Sequence, residues 1–203
     1  DDAVALIEAL GLGPCHFGGL SMGGFVGLRL AIRRPDLLRS CTLLETSADA
    51  EDPAQSQRYR VLNAIARYVG LDPVADRVMP IMFGQTMLND PSRRRERDYW
   101  RDRLLANGRT IYRAVNGVLE RDSVYHQLDK IRVPTLVIVG EEDRALPPPN
   151  SVRLHEAIEG SEFVRIPGAG HTSTIEQPEL INAAMAAFLA KHTEQGASLA
   201  KHI

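Results

Sequence analysis

Cysteine is scarce in this chain of 203 residues, and the two present, Cys15 and Cys41, cannot form a disulfide framework. Both fall inside apolar runs that read as buried strands with reduced thiols. No stretch reaches the roughly 18 consecutive apolar residues that cross a bilayer, so nothing in the sequence reads as a membrane span. Charge of either sign is not in excess, with 24 Lys and Arg against 26 Asp and Glu. That balance removes the general attraction that draws basic proteins to nucleic acid or anionic lipid, and a small molecule is the expected partner. Internal repeats are missing too, and the six histidines lack metal-ligand spacing. The expected location is the cytoplasm.

What is present is an alternation of apolar runs and helical patterns. Residues Asp1 to Leu10 read as an amphipathic helix with acids at its positive end and Gly11 as a left-handed stop. An apolar strand then runs to Ser21, a helix is stopped at Arg33-Arg34-Pro35, and a second strand follows at Cys41 to Leu44. Strand, helix, strand predicts a parallel βαβ unit. From about Ser47 to Lys130 strand signals vanish and three or four helices are expected. Leu62, Ile65, Ala66 and Val69 mark one apolar face, while Asp72-Pro73 and Asp90-Pro91 each supply a cap followed by proline. The parallel pattern resumes with strands at 135–139 and 162–166, a helix at about 151–158 and a last helix from Pro178 to Lys191. Beyond His192 the polar tail is expected to fray.

Gly19-Leu20-Ser21-Met22-Gly23-Gly24 fits GxSxG at a strand-to-helix junction, the setting in which a serine hydroxyl projects as a nucleophile. Such a serine needs a base, and the base needs a group that holds its tautomer. Asp143 follows the strand ending at Gly140, and His171 follows the last strand in Gly168-Ala169-Gly170-His171. Both stand at carboxyl ends of parallel strands, where open α/β sheets place their sites. The other histidines, His16, His126, His155, His192 and His202, have no comparable setting and read as structural or surface groups. Glu141 and Glu142 read as exposed, and Glu45, ending the preceding strand, remains an alternative acid. Arg93 to Arg103 is interrupted by Glu96, Asp98 and Asp102 at helical spacing and reads as a salt-bridged helix, not a nucleic-acid surface. Met82, Phe83, Trp100 and Tyr112 either line a substrate pocket or form core among the helices.

On GLSMGG at 19–24, RRPDLL at 33–38, VPTLVIVGEEDRALPP at 133–148 and IPGAGHTSTIEQPE at 166–179, the chain resembles an α/β-hydrolase of the esterase and 3-oxoadipate enol-lactonase kind. The resemblance implies an α/β fold with a mostly parallel sheet, its core at 1–46 and 131–203 and a helical cap inserted at 47–130. It also implies Ser21 as nucleophile, His171 as base, Asp143 as its partner, the Met22 N–H as an oxyanion donor, and no metal or organic cofactor. The implied substrates are small esters or lactones. Thioesterase, carbon-carbon bond hydrolase, acyltransferase and non-turnover binding protein are the alternatives on the same fold. Residues 1–18 contain no match to the HG loop that gives the family its second oxyanion donor, so the chain resembles about the last three quarters of a family member. The expected partner at the resulting open sheet edge is a second copy or a complementing N-terminal segment.

Overall fold

The structure, a computed structural model, describes residues 1–199. Four strands, β1 (Cys15–Leu20), β2 (Leu38–Leu44), β3 (Thr135–Gly140) and β4 (Glu162–Ile166), form one sheet in the order β1-β2-β3-β4, with every pairing parallel. The two inner strands are almost wholly buried, which is why TLVIVG, and CTLL at the end of β2, read as largely apolar runs instead of alternating ones. The half-buried β1 and β4 are the edges. Cys41 is fully buried, whereas Cys15, at the start of the edge strand, is only half-buried, a departure from the expectation of two core thiols.

Helices cover both faces of the sheet. α1 (Asp2–Ala9) leads in and ends before Gly11, whose φ of 61° is the left-handed stop the sequence suggested. α2 (Met22–Arg33) and α8 (Pro148–Ala157) bury Leu28, Leu30, Ala31 and Leu154 against Leu43 and Val137 on one face. α10 (Pro178–Leu199) brings Ile181 and Phe188 onto Leu44, Leu136 and Ile138 on the other. Neighbouring residues Leu43 and Leu44, and likewise Leu136 and Val137, thus serve opposite cores, as the two-residue period of a strand requires. A side chain such as Leu28, fully buried here, contributes about 2–3 kcal/mol.

Between β2 and β3 the chain forms no strand and carries five helices, α3 (Pro53–Tyr68), α4 (Ala75–Met82), α5 (Gln85–Asn89), α6 (Arg94–Leu105) and α7 (Tyr112–Leu119), with loops and short 3-10 turns between them. Five helices stand where three or four were expected. Asp52 and Asp90 each accept a backbone N–H two residues on, from Ala54 and Ser92, and so cap their turns. Asp72 does not, because it lies inside a 3-10 turn and makes no cap bond. Leu62 and Ala66 of α3 are buried, but Val69 points to solvent past the helix end, where Gly70 takes a φ of 117°. α6 carries the expected ion pairs, Arg93 with Glu96 at 2.8 Å and Arg94 with Asp98 at 3.8 Å.

At the other end, α10 runs eight residues beyond Lys191, because Glu194, Gln195, Ala197 and Leu199 are helix formers with no proline among them. His202 lies outside the described residues. No helix among the described residues is long and apolar enough to cross a membrane.

Candidate active site

Ser21 stands between β1 and α2 with φ 52° and ψ −111°, a conformation that costs a non-glycine residue about 1–3 kcal/mol and persists only when its surroundings enforce it. The enforcement is visible. Ser21 N–H donates to Leu44 O at 2.8 Å, and the Thr46 hydroxyl donates to Ser21 O at 2.9 Å. Glycine is required around the turn: a Cβ on Gly19 would strike the Gly23 backbone, and one on Gly24 would lie 2.5 Å from Thr46. Met22 opens α2, so its N–H is among the first four that no intrahelical carbonyl can accept, and it points from the positive end of the helix.

Asp143 and His171 meet as the sequence suggested. His171 Nδ1 lies 2.9 Å from Asp143 Oδ2, with both side chains almost completely buried. The other carboxylate oxygen, Oδ1, accepts from Ala145 N at 2.8 Å and Leu146 N at 3.0 Å, which fixes the carboxylate plane. With Nδ1–H donating to Asp143, the neutral ring keeps its lone pair on Nε2. Ser21 and His171 share the wall of one cavity of about 420 Å³. Among the described residues no hydrogen bond joins the Ser21 hydroxyl to the ring, a looseness common before substrate binds.

Glu45, the alternative acid, is not on His171. It is fully buried at the end of β2 with φ 42°, and neither carboxylate oxygen has a hydrogen-bond partner. Burial pushes its carboxyl up to about 8, with Asp143 and Glu176 raising it further; the nearby Ser173 hydroxyl and Gly140 backbone oppose this only in part, and neither reaches hydrogen-bond geometry. Burial thus favours its uncharged form, and Glu45 does not line the cavity that Ser21 and His171 share.

Two further carboxylates escaped the sequence reading. Glu176 accepts from Gly170 N at 2.9 Å, beside His171, and from Gly84 N at 2.8 Å, between α4 and α5. Thr172 adds to the junction: its N–H donates to Met82 O at 3.0 Å, and its hydroxyl lies 3.0 Å from both Met82 O and Glu176 Oε1. Burial raises the Glu176 carboxyl above its usual range, against the lowering effect of these donors. Glu142, expected to be exposed, is half-buried and accepts from Thr86 N at 2.8 Å and Thr86 Oγ1 at 2.5 Å. Gly84 and Gly170 touch so closely that a Cβ on Gly170 would overlap the Gly84 N. The loops bearing Asp143 and His171 are thus bolted to the helical segment through their own neighbours. The available signal was Glu142 immediately before Asp143 and Glu176 five residues after His171.

Of the four candidate pocket residues, Met82 lines the cavity, while Phe83 and Trp100 pack together with Met79 and Met87 as core. Tyr112 lies against Arg67. His16 and His155 are each paired with a serine hydroxyl, at 2.7 and 2.9 Å from Ser40 and Ser161, as structural residues would be. No group of three or more His, Cys, Asp or Glu among the described residues could hold a metal ion.

Comparison with known proteins agrees with this architecture. RutD of Agrobacterium fabrum, whose name assigns it provisionally to carbamate hydrolysis, is 26% identical over 195 residues, covering 93% of this chain and 72% of its own length. 3-Oxoadipate enol-lactonase 2 of Acinetobacter baylyi is 29% identical over 189 residues, covering 93% of this chain and 68% of its own. A thermophilic esterase of Thermogutta terrifontis superposes with a TM-score of 0.84 at 31% identity, covering 95% of this chain and 71% of the esterase. The sequence profile of the alpha/beta hydrolase fold matches residues 1–178, and with the parallel sheet and the helices on its two faces this establishes that the chain belongs to the α/β-hydrolase family.

Proposed function

We propose that the chain is a serine hydrolase of small carboxylic esters or lactones, with Ser21, His171 and Asp143 as its catalytic set. The observation that carries this reading is the buried Asp143–His171 hydrogen bond opening onto the same cavity as a serine held in a strained strand-to-helix turn. His171 Nε2 takes the Ser21 proton as Oγ attacks the acyl carbon, and the Met22 N–H donates to the oxyanion that forms. Collapse expels the alcohol, protonated by His171. Water, deprotonated by the same nitrogen, then releases the acid and restores Ser21. Asp143 holds the ring's orientation and steadies it when it is charged.

The test is hydrolysis of a short-chain aryl ester together with labelling by a fluorophosphonate and mapping of the modified residue. Labelling at Ser21 is expected, and Ser21→Ala is expected to lower kcat by as much as about 10⁶-fold. Turnover undiminished in that variant would sink the assignment. Labelling and an acyl burst without steady-state turnover would favour the binding-protein alternative.

A further inference from the structure

The cavity wall carries information about the substrate that the catalytic set does not. Leu62 and Ala66 of α3, Val78 and Ile81 of α4, and Val115 and Leu119 of α7 are among the residues of a surface that is apolar almost throughout. No Lys or Arg is in it, and Glu51 is the one Asp or Glu of the lining. Glu51 is already matched: Arg121 lies 2.6 Å from its carboxylate, with both side chains buried. The same guanidinium donates to Asp49 O at 3.0 Å and Val118 O at 2.7 Å and sits 4.3 Å from the Phe25 ring centroid. These bonds engage its Nε and Nη1, and Arg121 is not itself part of the cavity wall. The other polar lining is neutral, Tyr59, Asn63 and Asn107, and Asn63 Nδ2 already donates to Tyr112 O and Asn116 Oδ1.

A carboxylate entering this space would lose its water, find no cation and face Glu51. An aliphatic or cyclic group would lose only unfavourable hydration. We infer that the substrate carries an uncharged, apolar arm that seats among α3, α4 and α7, and that the site discriminates against esters or lactones with a carboxylate on that arm. The volume of about 420 Å³ accommodates roughly a dozen non-hydrogen atoms at about 30 Å³ each. This inference rests on the Ser21 reading above.

The test is a series of fluorophosphonates with methyl, hexyl and carboxy-terminated hexyl arms, reacted with the 203-residue chain and followed by mass spectrometry at Ser21. In each the Ser21 Oγ–P bond forms, the P–F bond breaks, fluoride leaves and the hydroxyl proton passes to His171. Turnover is not needed, so binding of the arm is read directly. The labelling rate is expected to rise about 4-fold per methylene buried. The terminal carboxylate is expected to cost roughly tenfold or more against its uncharged counterpart. Ala66→Phe and, separately, Val115→Phe are expected to lower the hexyl-to-methyl ratio by roughly tenfold, either variant sufficing if the other does not fold. Equal rates for methyl and hexyl, a carboxylated arm as fast as the plain one, or a ratio unmoved in a folded Phe variant would overturn the inference alone. Absence of label at Ser21 from every probe would instead remove the hydrolase reading beneath it.

Discussion

At Ser21 the backbone is bent against its own preference, and the residues that allow this are small and local. Glu45 is the second non-glycine residue with positive φ, and it has a different consequence. Its carboxyl is raised from an ordinary 4.5 to about 8, so the folded state holds that proton more tightly than the unfolded chain does. Glu45 therefore costs no stability below about pH 4.5, progressively more as the pH rises through the interval, and a constant amount above about 8. Glu45→Gln, which cannot ionise, is expected to gain on the parent across that window by up to a few kcal/mol. Denaturant unfolding of both proteins at pH 5 and pH 8.5 measures it. A stability difference identical at the two values would contradict the neutral buried acid.

Between elements, the informative contact is the junction of α4 and α5 with the loop carrying His171. Glu176→Gln keeps one acceptor but turns an amide NH₂ toward a backbone N–H that needs one, either at Gly84 or at Gly170. The expected loss is about 1–3 kcal/mol of stability. Because Gly170 adjoins His171, kcat is expected to fall along with it, and Thr172→Ala should fall in the same direction by less. Thermal melts and ester kinetics on both variants check this; a Glu176→Gln protein with parental melting and parental kcat would show the junction to be dispensable.

Such junctions also mark where the sequence stopped being readable. The elbow glycines, the strand-terminal Asp143 and His171 and the inner strands were legible because each follows from a local rule: a turn only glycine permits, or a buried strand of continuous apolar residues. The helical segment was legible in character but not in number, since α5 is five residues long and carries no periodicity of its own. Glu142 and Glu176 look like solvated acids in sequence and become buried acceptors only because a distant segment delivers N–H groups to them. Glu45, left open as an acid for His171, was decided by which carboxylate faces Nδ1, a tertiary fact.

For the molecule as a whole, the order β1-β2-β3-β4 leaves the strand that carries Ser21 at an edge of the sheet among the described residues. β1 offers an unpaired row of backbone groups there, flanked by the exposed Leu10, Leu12 and Val26. An open parallel edge of this kind invites pairing with another chain. We expect the isolated 203-residue chain to dimerise or aggregate at micromolar concentration, as read by light scattering, and a clean monomer would contradict this.

The proposed catalytic set also divides the chain in an instructive way. Ser21 comes before the helical insertion, Asp143 and His171 after it, and no local contact can bring them together. The parallel pairing of β2 with β3, the longest crossover in the sheet, closes that gap. Pairings of such sequence separation form slowly and late. On the proposed reading, Ser21 is expected to act as a clock for the final stage of folding: the time at which refolding chains become able to take a phosphonate would mark the moment the two halves of the sheet have joined.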